Sequence, residues 1–231
     1  MMKRLYIYIL SSVWCYSIWS QTAAPDTTII ESQKLIRPSI YADYGKLITR
    51  LVGYEDKLEG AFSLLFLEQY ELIAEMGTAT LSPAESYTNG NYSAEGTYYR
   101  FGGGYLGTFK SNFAIGLSAR YGVSKFSDQG FIEIEGGSGI ENSYSKKFER
   151  PDLEARWWEL VVTSEKKLRF NKDNLSAWYN DILAIGFNIR MRFLVTYDKE
   201  SPIDVYSIPG YGKSLDRSTP ALNLFVKAYL F

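Results

Sequence analysis

The sequence predicts an all-β fold: an eight-stranded antiparallel up-and-down transmembrane β-barrel preceded by a cleaved signal peptide. Three observations predict it. Eight stretches alternate large apolar with polar or small side chains, the period of a strand whose two faces meet different media. Aromatic residues make up 16% of the chain, 19 of them Tyr, and such rings suit a lipid–water boundary. After the first 20 residues no segment is long and apolar enough for a spanning helix, so any membrane crossing falls to strands.

The leader comes first. Met1, Met2, Lys3 and Arg4 give a basic start, residues 5–19 are mostly apolar, and Ser20 precedes Gln21. About 15 apolar residues are short for a spanning helix and suit a signal-peptide core. The chain therefore divides into a signal peptide (1–20), a periplasmic lead-in (21–37) and a barrel (38–231). Cleavage near Ser20 removes Cys15, the single cysteine; Trp14 stands where a lipoprotein site wants a small residue.

The strands follow in order at 38–49, 57–67, 70–81, 95–106, 112–127, 153–167, 182–198 and 221–231. Tight turns fall at Glu68-Gln69 and at 107–111. Longer connections hold Gly53, Pro83 with Asn89-Gly90, and the polar stretch 128–152. A loop of 199–220 carries Pro202, Pro209 and Pro220, and the connection 168–181 is longer than its place requires. Short turns inside and long loops outside are the habit of outer-membrane barrels.

Strand seven fixes the phase. Leu183, Ile185, Phe187, Ile189, Met191, Phe193, Val195 and Tyr197 share one parity, Arg190 and Arg192 the other. An Arg facing hydrocarbon near the midplane costs about 2–4 kcal/mol, so the arginines face inward. By the same reading, Glu59 (strand two), Glu71 and Glu75 (three), Arg100 (four), Arg120 (five) and Glu159 (six) face the lumen, with Asp43 on strand one a further candidate. Strand eight has two competing faces. Phe225, Tyr229 and Phe231 suit lipid but share their parity with Lys227; Leu222, Leu224, Val226 and Leu230 oppose them.

An eight-stranded barrel is just wide enough for its own side chains, and charges buried there must pair. The predicted outcome is an ion-pair network of Glu59, Glu71, Glu75 and Glu159 with Arg100, Arg120, Arg190 and Arg192 that closes the lumen. No open water channel is expected.

The leader, the eight strands, the Tyr-Gly-rich strand four (Gly96, Tyr98, Tyr99, Arg100, Gly102, Gly103, Gly104, Tyr105) and the terminal Phe231 resemble small outer-membrane β-barrels of OmpA/OmpX-like architecture. The chain looks most like an uncharacterised family from Bacteroidota whose members also end in an aromatic residue. That resemblance implies architecture and outer-membrane location, with no activity to carry over. It also implies that Phe225, Tyr229 and Phe231 form the signal read by the barrel-assembly machinery.

Other motifs carry less. Gly102, Gly104 and Gly107 have dinucleotide-fingerprint spacing, but they lie in a strand and its turn with no helix following. The chain has no histidine, which removes the usual catalytic triads and the commonest transition-metal ligand. No catalytic residue, metal or cofactor is expected, and the chain is read as a non-enzyme. Net charge is −1, which offers no basic surface for nucleic acid. Expected partners are outer-membrane lipid, the assembly machinery, and an extracellular partner reached through residues 128–152 and 199–220. A narrow solute channel and a soluble lipocalin-like carrier remain the alternatives.

Overall fold

The structure, a computed structural model, describes residues 35–45, 56–83, 89–110, 112–134, 144–171, 179–201 and 203–230. The expected leader, nearly all of the lead-in, and Phe231 lie outside the described residues. Among the described residues ten strands appear: β1 (Ile36–Asp43), β2 (Asp56–Phe66), β3 (Tyr70–Leu81), β4 (Gly90–Lys110), β5 (Phe113–Ile134), β6 (Tyr144–Lys167), β7 (Leu183–Tyr197), β8 (Ser207–Ile208), β9 (Gly212–Lys213) and β10 (Ser218–Tyr229). Eight of them form a closed barrel in the order β1-β10-β7-β6-β5-β4-β3-β2, every neighbour antiparallel. β1 closes it, pairing β2 on one side and β10 on the other. Closure satisfies the backbone donors and acceptors that an open sheet edge would leave bare.

The register sets the width. From Ile40 the cross-strand neighbours run through Phe62, Ala74, Phe101, Tyr121, Trp158 and Phe193 to Ser218. Because Ser39 faces Tyr229, Ser218 stands level with position 50 projected along β1, so one circuit climbs ten residues. A stagger of this size goes with strands tilted by about 40° and an interior that side chains alone can fill.

Alternation decides the faces. In β3 buried and exposed residues alternate along nearly the whole strand, with Glu71, Ile73 and Glu75 inside and Leu72 and Met76 outside. The outer face of the barrel is apolar: Leu117, Leu160, Ile189 and Phe101 are all more than half exposed there. Strand eight of the sequence reading, here β10, turns Phe225, Lys227 and Tyr229 inward and exposes Leu222 and Val226. The alternation alone leaves the two faces of this strand in competition. The ammonium of Lys227 decides between them, because inside the barrel it meets two carboxylates.

Boundaries differ most on one side of the barrel. β1 ends at Asp43 rather than at 49, while β4, β5 and β6 run 21, 22 and 24 residues. Much of 128–152, read as a polar loop, is strand. Pro151 and Asp152 look like turn residues, yet they build a bulge: Phe126 pairs Leu153, Asp128 pairs Arg150, and Asp152 sits at φ 59°. A bulge takes up the extra residue and tolerates proline's missing donor. β3 last pairs β4 at Ala94, and β7 last pairs β6 at Ala155. Beyond those points the three long strands continue as a blade past the rim.

The β7–β10 connection, read as an external loop over 199–220, also departs from expectation. Its β8–β9 hairpin folds into the barrel mouth, where Val205, Ile208 and Tyr211 are buried against Tyr98, Phe126, Leu153 and Trp157. Removing those apolar groups from water drives the turn inward, while Lys213 and the stretch Leu215 to Ser218 stay exposed. The chain turns at Ile208-Pro209-Gly210-Tyr211: Tyr211 N donates to Ile208 O at 3.1 Å and Gly210 has φ 83°. Proline then glycine at the two central positions is what a type II turn requires.

Candidate functional site

The interior is organised in layers. At the centre Glu75, projecting from β3, meets three guanidinium groups. Arg190 donates to it at 2.7 and 2.9 Å, Arg100 at 3.1 Å, and Arg120 also pairs with it. Glu59 pairs with Arg100 at 3.0 Å and Arg190 at 3.2 Å. Glu159 lies 2.8 Å from Arg100 Nε, 3.4 Å from Arg190 and 3.6 Å from Arg192. These side chains are all essentially buried. The register makes the meeting possible, since Glu75 stands directly opposite Arg100, and Glu159 stands between Arg120 and Arg192.

Each of these carboxylates also takes a neutral donor. Tyr98 donates to Glu59 at 2.7 Å, Trp157 Nε1 to Glu159 at 2.7 Å, and the Tyr41 hydroxyl to Glu75. An ionised carboxylate offers about four lone-pair sites, more than the arginines fill alone.

Among the described residues Glu71 makes no direct ion pair with an arginine. It accepts from Lys227 at 2.6 Å and from Ser63 at 2.7 Å. Lys227 also reaches Glu165 at 3.2 Å, and Glu165 accepts the Tyr229 hydroxyl. This second layer lies toward the end bearing the short turns, above a floor of Leu65, Leu106, Ala114, Ala184 and Tyr229. Sequence reasoning missed Glu165 and Lys227. The signal available was that Lys227 shares a parity with Phe225 and Tyr229, which is costly outside and satisfiable inside. Asp43 is buried and accepts from Asn223. Between the two charged layers lies a cavity of about 10 Å³ beside Arg120, Thr163, Asn188 and Lys227, room for about one water.

Aromatic rings fill the remaining interior against glycines. Gly77 faces Tyr98, Gly122 faces Trp157 and Gly186 faces Phe225 across adjacent strands. A Cβ on any of the three would overlap the facing ring. Gly102 and Gly104, two members of the fingerprint-like spacing, serve close strand packing, since a Cβ there would run into the backbone of β5.

Above the centre the turn of the β7–β10 connection meets the network directly. Arg100 Nη2 donates to Gly210 O at 2.9 Å and Arg192 Nη1 to Tyr211 O at 2.5 Å. Burial raises the pKa of the Tyr211 phenol. The blade grips the same connection: Arg150 donates to Ile203 O at 2.6 Å while its guanidinium also holds Asp128, and the Tyr92 hydroxyl reaches Asp128 at 3.0 Å.

Outside, at the base of the blade, a concavity of about 660 Å³ is lined by Glu95, Lys125, Phe126, Asp152, Leu153 and Glu154 among others. No cluster of three or more potential metal ligands occurs among the described residues.

Of the expected assembly residues, Phe225 and Tyr229 point inward, and Phe231 lies outside the described residues. No curated protein matches the chain by sequence. A family model described as a domain of unknown function, DUF6048, matches residues 2–225. The chain belongs to that family.

Proposed function

We propose that this protein is an outer-membrane β-barrel of structural or interaction type, exported through its first 20 residues and without enzymatic activity. The observation that carries the reading is the sorting of side chains: charge inside, grease outside. On β7 the outward residues Ile185 to Val195 are large and apolar, and the arginines on the other parity are buried. Ten steps of about 3.3 Å, tilted by about 40°, give a band about 25 Å tall, the height of a bacterial barrel's apolar belt. A soluble protein would rarely leave so large a continuous apolar surface in water.

The lumen reads as plugged. Among the described residues, five carboxylates and five cations pair inside it in two layers, beside the buried Asp43 and Lys57, with an apolar floor below and the inserted turn above. That filling disfavours a solute channel, and its charge disfavours a carrier for apolar ligands. Small outer-membrane barrels of Bacteroidota, which the sequence resembles, share the proposed architecture. The assembly machinery would take up the final strand, and lipid would cover the belt. The blade, with the 660 Å³ concavity at its base, and the exposed side of 199–220 would offer the surface for an extracellular partner.

The test is gel migration of the protein from isolated outer membranes, followed by recording in planar bilayers. The reading expects a faster band in unheated than in boiled samples, and silent bilayers. Recovery in the soluble periplasmic fraction with no heat-dependent shift would overturn the membrane assignment. Steady single-channel steps would overturn the plugged lumen.

A further inference from the structure

In the central layer four guanidinium groups, Arg100, Arg120, Arg190 and Arg192, meet three carboxylates, Glu59, Glu75 and Glu159. Arg192 is the least compensated of the four. Its closest carboxylate contact is 3.6 Å, made by Nε to Glu159, whereas each of the other three has a carboxylate oxygen within 3 Å. Its side chain is nonetheless buried. What it does meet is a backbone oxygen, that of Tyr211 at 2.5 Å, while the neighbouring Arg100 takes the oxygen of Gly210 at 2.9 Å.

We propose that these two guanidinium groups form an oxyanion site in the barrel mouth, and that the chain's own β-turn occupies it. The carbonyl oxygens of two consecutive residues stand where two oxygens of a phosphate, sulfate or carboxylate would bind. Guanidinium forks are suited to paired oxygens and bind them most strongly when these carry full charge. A carbonyl supplies only part of that charge, so the turn is a weaker partner held in place by other means.

Those means are visible. Gly210, at φ 83°, leaves no room for a Cβ against the Tyr98 ring. Ile208 and Tyr211 anchor the turn in the apolar cluster around Trp157. Ser214 ties the hairpin back to Val205 O. The inference rests on the interior geometry alone and stands whatever medium covers the belt.

The experiment uses the chain from Gln21 onward, refolded in detergent, with residues 204–215 replaced by a short Gly-Ser linker. Its melting temperature is read from the loss of strand circular dichroism in chloride, phosphate and acetate at equal ionic strength. Phosphate or acetate should raise the melting temperature of the opened barrel by several degrees over chloride, since a ligand that binds only the folded state stabilises it. Phosphate acting alone would define a tetrahedral site, and both acting would define a general oxyanion site. The native barrel should show no such difference, and Arg192→Gln in the opened barrel should abolish it; together these controls exclude a general salt effect.

No anion-specific shift in the opened barrel would overturn the proposal, as would an equal shift in the native one. Should the opened barrel fail to fold in chloride, its recovery on refolding in phosphate supports the site. In that case the full-length-loop variant Ile208→Gly/Tyr211→Gly repeats the titration, and failure of both variants to respond to either anion overturns it.

Discussion

Glu75 shows how single residues hold the interior. It faces three guanidinium groups and a phenol and is itself buried. Neutralising it leaves those cations buried without their hub, and breaking such a pairing costs about 3–5 kcal/mol. Glu75→Gln should therefore lower the urea midpoint of unfolding sharply, whereas Tyr41→Phe, which removes one neutral donor, should cost about 1–3 kcal/mol. Equal midpoints for Glu75→Gln and the native chain would contradict this. The glycines carry the complementary argument. Gly122→Val places two methyl groups where the Trp157 ring lies, so overpacking should cost about 1–3 kcal/mol. The check is the same urea series, and an unchanged midpoint would mean the ring has space to move.

Most interior charges were legible from parity alone, because Arg190 and Arg192 beside Phe187, Ile189, Met191 and Phe193 leave one tolerable orientation. Glu165 and Lys227 were not. Each acquires its meaning only from the other, across strands that no sequence spacing connects. The glycine–ring pairs were equally hidden, since which ring faces which glycine is a matter of register.

Among the elements, the short hairpins were read well and the long ones poorly. The β2–β3 turn needs only Leu67 and Glu68 at φ 51° and 56°, with Gln69 N donating to Phe66 O at 3.0 Å. That is the mirror-image turn whose twist matches paired strands. The β5–β6 hairpin misled because its polar, glycine-bearing residues look like a loop, while strand pairing from Asp128 to Ile134 holds them extended. On the free edge of β6 in the blade stand Lys146, Lys147 and Pro151, residues that discourage another chain from adding to that edge. Pro209-Gly210 announced a turn in the β7–β10 connection, but nothing local announced that it points inward.

β10 is the element whose phase is most open to direct test. The chain from Gln21 on has no cysteine, so single cysteines report cleanly. In lipid vesicles, Leu222→Cys and Val226→Cys should react with a bilayer-soluble maleimide, and Phe225→Cys should not. The reverse pattern would restore the aromatic face to the outside.

At the scale of the whole barrel, a ten-residue stagger and eight strands leave an interior that side chains alone can fill, inside an outer face that is apolar, and the proposed reading gives that face a lipid medium. The two properties depend on each other. Charges confined inside need a wall that keeps water from them, and the wall's outer surface needs a medium that tolerates it. Trp157 and Trp158 embody that division at adjacent positions, one fully buried and the other 52% exposed.

The most direct measurement uses this pair in vesicles whose acyl chains carry bromine, a quencher of indole fluorescence on contact. With Trp178→Phe as background in the chain from Gln21, Trp157→Phe leaves only Trp158, and Trp158→Phe leaves only Trp157. The account predicts strong quenching of Trp158 and little of Trp157. Strong quenching of Trp157 with Trp158 spared, or no quenching of either, would contradict it.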